Sequence, residues 1–480
     1  MDDIGKMAAH GVGRSLPLVV ILGATGTGKS KLAVQLGRAV GGEIISADSM
    51  QVYKGLDIIT NKVSAEEQKL CKHHMISFVD PLVTNYTVVD FRNKALTLIE
   101  DMFSRNQIPI VVGGTNYYIE ALLWKVLVNT EKRDENSSID KTKSSQTVVD
   151  RKEELERFDS QELYMRLKDV DPEMAAKLHP NDRRKVASYP LNMASMGMER
   201  SLQVYEDSGI LHSEHLRRQQ AENGGGPLGG AMRFQNPCIL WLHADQEVLN
   251  VRLNARVEEM LKMGLIEELQ DFHKFYNENI LAQSRQDYQH GIFQSIGFKE
   301  FHEYLIYDNT ATNTREVLLQ RGIEALKQRT QKYAKKQNKW VQHRFLKRPG
   351  PNVPRVYSLD VTDISAWDQS VLSPALQILR SFLQGENPAI APFQLYSDKM
   401  DNKRSSNLCD VCNRVIIGDR EWGAHIKSKS HQHHAKKKRK SQECDPVNTQ
   451  VEKRICFHDP ERTELAGDTK VELPNYTEKT

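Results

Sequence analysis

The run Gly23-Ala24-Thr25-Gly26-Thr27-Gly28-Lys29-Ser30 constrains the fold more than any other part of the chain. It has the form G-x-x-x-x-G-K-[ST], with an apolar stretch at 16–22 before it and a helical pattern at 31–40 after it. Strand, glycine-rich loop and helix in that order make a cradle for phosphate. The glycines let successive backbone N–H groups turn toward one anion, and the helix N-terminus adds partial positive charge. Lys29 is placed to reach the terminal phosphate and Ser30 to hold Mg²⁺. Gly23, Thr25, Gly26, Thr27, Gly28, Lys29 and Ser30 are therefore the candidate diphosphate- or triphosphate-binding residues. Reading the loop as a turn with a solvated lysine leaves the flanking strand and helix unexplained. The motif does not say which molecule carries the phosphates.

The chain that follows reads as an α/β protein with a parallel sheet. A second buried strand at 43–47 ends in Asp48, followed by Ser49, Met50, Gln51, Val52 and Tyr53. A carboxylate at a strand end beside a phosphate loop faces the crevice of an open α/β sheet. Asp48 and Ser49 also make good helix N-caps, and the residues alone leave both readings open. After a helical stretch at 85–107, a strand at 108–112 runs into Gly113-Gly114-Thr115. An ATP-hydrolysing protein commonly carries an Asp at such a strand end, so two glycines and a threonine argue against hydrolysis. A later strand, 239–244, does end in an acid, Asp245. Between these strands lie a polar stretch at 129–152, a helical pattern at 153–220 and glycines at 224–230, so 125–235 is expected to be a helical insertion. Beyond it, Arg252 and Arg256 lie one turn apart on one helix face.

Bulk charge decides little, because the net charge is only +3; its distribution says more. The stretch 321–348 holds Arg321, Lys327, Arg329, Lys332, Lys335, Lys336, Lys339, Arg344, Lys347 and Arg348 against one acid, Glu324. Leu326, Tyr333 and Trp340 recur every seven residues, so one stripe is expected to pack on the core while the charged face meets nucleic-acid phosphates. The prolines at 349–354 open a stretch, 349–405, that reads as a linker. Six scattered cysteines argue for a reducing compartment, not a disulfide framework. Two of them begin Cys409-x2-Cys412-x12-His425-x5-His431, the spacing of a C2H2 zinc site. The cysteines are expected on a hairpin knuckle and the histidines on one helix, with Ile417 and Trp422 filling a small core. The trailing Lys436-Lys437-Lys438-Arg439-Lys440 suits RNA contact and equally a nuclear-import signal. The tail, 441–480, reads as disordered.

No apolar run reaches the ~18 residues of a membrane span, so no membrane partner is expected. Residues 1–15 read as an N-terminal extension. Translation from Met7 would give Ala8, Ala9, His10, Arg14 and Ser15 without an acid, which is compatible with mitochondrial import. The expectation is a cytoplasmic and mitochondrial protein, with a nuclear location as a further reading.

Several stretches together resemble the tRNA dimethylallyltransferase (isopentenyltransferase) family, in its animal form with a C-terminal zinc finger. They are Gly23–Ser30, Ser46–Tyr53, Val112–Thr115, His179-Pro180-Asn181-Asp182, Tyr288-Gln289, Ser295–Phe298 and Tyr333–Gln337. The resemblance covers about 16–350, with the finger as the eukaryotic extension. It implies a P-loop NTPase-like transferase core from 16–124 and 236–348, a tRNA-binding insertion at 125–235 and a finger at 406–440. The implied reaction moves the dimethylallyl group of dimethylallyl diphosphate to N6 of adenosine 37 of tRNA, with diphosphate leaving. Asp48 resembles the general base, and Lys29, Arg256 and, as a weaker candidate, Arg252 the cations that neutralise the diphosphate. Asp48, Ser49, Met50, Gln51 and Thr115 would line the base site, with adenosine 37 flipped out of its stack. Arg184, Lys185, Val186, Ala187 and Arg200 would contact tRNA. Mg²⁺ on Ser30 and structural Zn²⁺ on Cys409, Cys412, His425 and His431 are the implied metals.

The chain departs from the family pattern at one place. Ser188 to Glu199, with Pro190 and Gly197, separates Ala187 from Arg200-Ser201-Leu202 and is expected to interrupt one helix and weaken the grip on tRNA. Two other classes compete. A small-molecule or nucleoside kinase shares the phosphate loop and Asp48 but explains neither the basic helix nor the finger. A non-catalytic RNA-binding protein with a vestigial loop makes Asp48 dispensable.

Overall fold

Six strands, all parallel, stand side by side in one sheet, in the order His73–His74, Glu43–Ser46, Pro109–Val112, Val19–Gly23, Cys238–His243 and Val356–Asp360. The computed structural model describes residues 16–83, 86–125, 158–180, 198–221, 230–279, 291–307, 312–348, 353–394 and 406–443. In chain order the elements are β1 (Val19–Gly23), α1 (Lys29–Val40), β2 (Glu43–Ser46), α2 (Ala65–Leu70), β3 (His73–His74), α3 (Val88–Ser104), β4 (Pro109–Val112) and α4 (Asn116–Leu123). The insertion contributes α5 (Ser160–Val170), α6 (Pro172–Ala176), α7 (Met198–Ser208) and α8 (His212–Ala221). The core resumes with β5 (Cys238–His243), α9 (Gln246–Lys262), α10 (Leu265–Asn279), α11 (His302–Leu305), α12 (Thr312–Val341), β6 (Val356–Asp360) and α13 (Ser373–Gln384). The last unit holds β7 (Ser406–Cys409), β8 (Arg414–Ile417), α14 (Asp419–Lys427) and α15 (Lys429–Glu443).

β1 sits between β4 and β5, with Val19 opposite both Ile110 and Cys238. Covered on both faces, it is apolar throughout and does not alternate. One face packs on α1 and α13 through Leu32, Leu36, Ile378 and Leu379. The other packs on α3, α4 and the end of α12 through Phe91, Ile99, Leu122, Val341 and Phe345. α3 starts where the sequence provides a reciprocal cap: the Thr87 side chain accepts from Asp90 N and Asp90 accepts from Thr87 N.

The chain leaves the core at Lys125 and returns at Ala231, and these two points are joined. Lys125 N donates to Ala231 O at 2.9 Å, Gly230 N donates to Lys125 O at 2.8 Å, and Trp124 bridges Met232. Helices α5 to α8 bury a separate core of Leu163, Leu167, Met174 and Leu202.

One expectation is corrected. The stretch 349–405 is not simply a linker, because β6 pairs with β5 along Ile239↔Val356 to His243↔Asp360 and α13 covers the sheet. Pro354 lies two residues before the strand start, where a missing N–H costs no ladder bond. The segment also reaches the phosphate loop. The Trp367 ring lies against Gly28, where an added Cβ would fall 2.8 Å from it. Its indole N–H donates to Gln35 Oε1 at 2.8 Å, and Lys31 lies over the ring. Trp367→Phe should therefore loosen the start of α1. The expected loss is about 1–2 kcal/mol of stability with severalfold weaker binding of inorganic diphosphate at the loop, read by thermal melting and calorimetry.

Candidate active site

The phosphate loop joins β1 to α1 at the C-terminal edge of the sheet. Gly28 caps α1 at φ 82°, a left-handed conformation that other residues adopt only with strain. Thr27 Oγ1 donates to Ala24 O at 2.8 Å, closing the loop on itself. Lys29 folds back over the loop, its Nζ donating to Ala24 O at 2.8 Å. Arg256, on α9, donates to Thr25 Oγ1 at 3.0 Å and stands at the same mouth.

Asp48 follows β2 and faces this loop. Its Oδ1 accepts from Met50 N at 2.9 Å, and the N–H groups of Gln51 and Gly114 also act on the carboxylate. The helix N-cap reading is not met, because no helix starts between 48 and 64; the side chain organises its own turn and lies in the crevice. Burial raises the Asp48 pKa, while the three N–H groups and the Lys29 charge oppose that. Lys29 is lowered to about 7 by burial first and Arg256 second, with Asp48 opposing. Burial also lowers Arg256. Two desolvated cations thus face one carboxylate, and an anion between them would relieve both.

The wall opposite is the turn after β4. Thr115 Oγ1 accepts from Ser49 N at 2.9 Å and donates to Ser49 Oγ at 3.1 Å. Only glycine fits at 113, where a Cβ would meet the Ala47 carbonyl oxygen at 2.1 Å. Met50 packs on the aromatic core around Phe272 and Phe298. Gln51 lines the crevice less than expected: its amide accepts from Ser46 Oγ and donates to Thr60 O and Asn61 O, locking the loop.

Two charge assignments change. Arg252, expected to bind diphosphate, donates from Nη1 to Val361 O and from Nη2 to Thr362 O, each at 2.6 Å. It secures the segment that carries Trp367. On the basic helix, Arg344 and Arg348 are turned inward to Glu120 at 2.7 and 2.9 Å. Lys327 pairs with Glu258 and Arg321 with Glu303. Lys332, Lys335, Lys336 and Lys339 remain on the exposed face of α12. Its inner face carries two residues that the sequence placed only in a packing stripe, Tyr333, or within a family-like stretch, Gln337, without a polar role. Tyr333 and Gln337 donate to Gly114 O at 3.3 and 2.9 Å. A polar residue on the buried side of a charged helix was the signal available. Arg184, Lys185, Val186, Ala187, Tyr288 and Gln289 lie outside the described residues, as does the Arg200 side chain.

In the C-terminal unit, the ligand atoms of Cys409, Cys412, His425 and His431 lie within 4.8 Å of one another. His431 Nδ1 is 3.5 Å from Cys409 Sγ and 3.2 Å from His425 Nε2. Bonds of about 2.0–2.3 Å from a central tetrahedral ion span such separations. The expectation that the histidines share one helix is corrected: the chain breaks at Ser428, whose ψ is 145°, so His425 and His431 lie on successive helices. Residues six apart on an unbroken helix point to different faces, and the break turns His431 back. Trp422 is half-buried and stacks on His425.

Comparison with known proteins adds independent observations. A model of the IPP transferase family matches residues 51–344, and one of isopentenyl transferases matches 16–85. The tRNA dimethylallyltransferase of Homo sapiens is 63% identical over 441 residues, covering 92% of this chain and 90% of that protein. That of Mus musculus is 62% identical over 459 residues, covering 95% and 93%. A crystal structure of a eukaryotic dimethylallyltransferase acting on tRNA matches with TM-score 0.68 at 29% identity, covering 89% of this chain and 98% of that one.

Proposed function

The chain belongs to the IPP transferase family, and from that premise we infer how its crevice works. The protein is an enzyme that transfers a dimethylallyl group to tRNA. We propose that the donor is dimethylallyl diphosphate and the acceptor atom N6 of adenosine 37. The observation that carries this reading is the Asp48 carboxylate, set in the crevice that also holds Lys29 and Arg256.

The diphosphate lies on the loop N–H groups between Lys29 and Arg256. The flipped adenine enters beside Thr115 and Ser49. The N6 lone pair attacks the allylic carbon, the carbon–oxygen bond breaks, and its electron pair leaves with diphosphate. Asp48 accepts the N6 proton. The loop and its cations act on charge that grows on the leaving oxygens, where fixed dipoles are most effective. Ser30, in the first turn of α1, offers the hydroxyl oxygen Mg²⁺ favours, and the ion would neutralise diphosphate charge. The exposed lysines of α12 suit the acceptor's backbone. The kinase reading is not favoured, since it leaves the lysines of α12 and the finger without a task.

The test uses the full chain with Mg²⁺, dimethylallyl diphosphate and an unmodified anticodon stem-loop, followed by nucleoside mass spectrometry. The expected product is N6-isopentenyladenosine confined to position 37. ATP-dependent phosphorylation of a small molecule, with no prenylated nucleoside, would overturn the reading.

Zn²⁺ is the proposed occupant of the Cys409–His431 cluster. Chelation should unfold this unit alone, because a structural zinc supplies about 10–16 kcal/mol to such a small domain. Near-ultraviolet signal from Trp422 should be lost while the melting of the sheet domain stays unchanged.

A further inference from the structure

Gln337 joins the two halves of the crevice. Its Oε1 accepts from Thr25 N, in the phosphate loop, at 2.8 Å. Its Nε2 donates to Gly114 O at 2.9 Å. The amide cannot be reversed, because Thr25 N–H only donates and Gly114 C=O only accepts. Its backbone carbonyl is also held, by Asn116 Nδ2 at 3.1 Å. The side chain is 3% exposed, so both bonds are made away from water.

The Gly114 residue gripped in this way is the one whose N–H acts on the Asp48 carboxylate. A Cβ at 114 would fall 2.6 Å from Gln337 Nε2 and 3.2 Å from Asp48 Oδ2, so glycine permits both approaches at once. A continuous polar chain thus runs from the phosphate loop through one carboxamide and one glycine to Asp48. Gln337 touches neither reacting group.

We propose that Gln337 is a positioning residue, which sets the distance between the proton acceptor Asp48 and the loop that holds the leaving group. The proposal rests on the reading of Asp48 as the base. Tyr333 also donates to Gly114 O, at 3.3 Å, so loss of Gln337 loosens that turn without freeing it.

The experiment is a double-mutant comparison on the full chain, with single-turnover rates measured at saturating stem-loop and donor. Gln337→Met keeps length and removes both bonds. The expected result is a rate about 10- to 100-fold lower, the scale of a reacting group displaced by about 1 Å. Stem-loop affinity should be unchanged, and the donor KM should rise because Thr25 N–H loses its acceptor. Gln337→Glu keeps an acceptor for Thr25 but offers no donor to Gly114, so the rate should fall with little change in donor KM. In an Asp48→Asn background, Gln337→Met should lower the rate no further, since the group it positions is gone. Equal fold-losses in both backgrounds would overturn the proposal and leave the Asp48 reading standing. A Gln337→Glu enzyme with wild-type rate would do the same. Full activity of Asp48→Asn alone would remove the base reading and the proposal together.

Discussion

Asp48→Asn should lower the rate of prenyl transfer by about 10²–10⁴ while stem-loop binding stays nearly unchanged. Asn fills the same space and still accepts from Met50 N through its Oδ1. The turn and the Thr115–Ser49 contact beside it should therefore persist. What is lost is a group able to take a proton. The neighbourhood of Asp48 works in both directions: burial makes it a stronger proton acceptor, while three N–H groups and Lys29 keep it ionised. Donor binding should not weaken in the variant, because removing one negative charge beside Lys29 and Arg256 leaves more positive potential for diphosphate. The check is single-turnover product mass, with stem-loop and donor affinities measured separately. Loss of stem-loop binding in step with activity would assign Asp48 to acceptor grip instead of proton transfer.

Glu120→Ala should destabilise the sheet domain by about 3–5 kcal/mol, since it leaves two buried guanidinium groups without their carboxylate. Glu120 lies on α4; Arg344 and Arg348 follow the end of α12 and make bonds of 2.7 and 2.9 Å to the same oxygen. All three are nearly sealed from water, with side-chain exposures of 3%, 10% and 4%. Burial lowers the Arg348 pKa, and the Glu120 charge is what opposes that. Arg348 also lies over the Trp124 ring, at the stem of the insertion. Glu120→Gln keeps the shape and should cost less, as one carbonyl oxygen remains. Thermal and urea melts of both variants give the comparison; equal stability of Glu120→Ala and wild type would show the arginines finding other partners.

The phosphate loop and the metal cluster were legible in the sequence because each is local. Their spacing in the chain is nearly their geometry in space. The remaining features depended on what packs against a segment. The ten basic residues of 321–348 read alike by composition, yet Arg344 and Arg348 face Glu120, more than two hundred positions away. Residues 356–360 are a short run behind prolines, and only pairing with β5 makes them a strand. Arg252 and Arg256 share a helix face, and the loop at 361–362 decides which reaches the phosphate loop. Gln337 stood in a family-like stretch, Tyr333–Gln337, but its bridging role was not legible there, since one buried amide leaves no periodicity.

The paired exit and return at Lys125 and Ala231 has a consequence for how such a chain can change. Lys125 and Ala231, the two ends of the excursion from 126 to 229, are hydrogen-bonded neighbours, so its length is nearly invisible to the catalytic fold. Lengthening a loop between fixed ends costs little, because the entropy grows only with the logarithm of length. Segments such as 188–199 add length to that excursion and none to the strands that build the crevice. The insertion is thus free to vary in length, while the part that builds the crevice is insulated from that history.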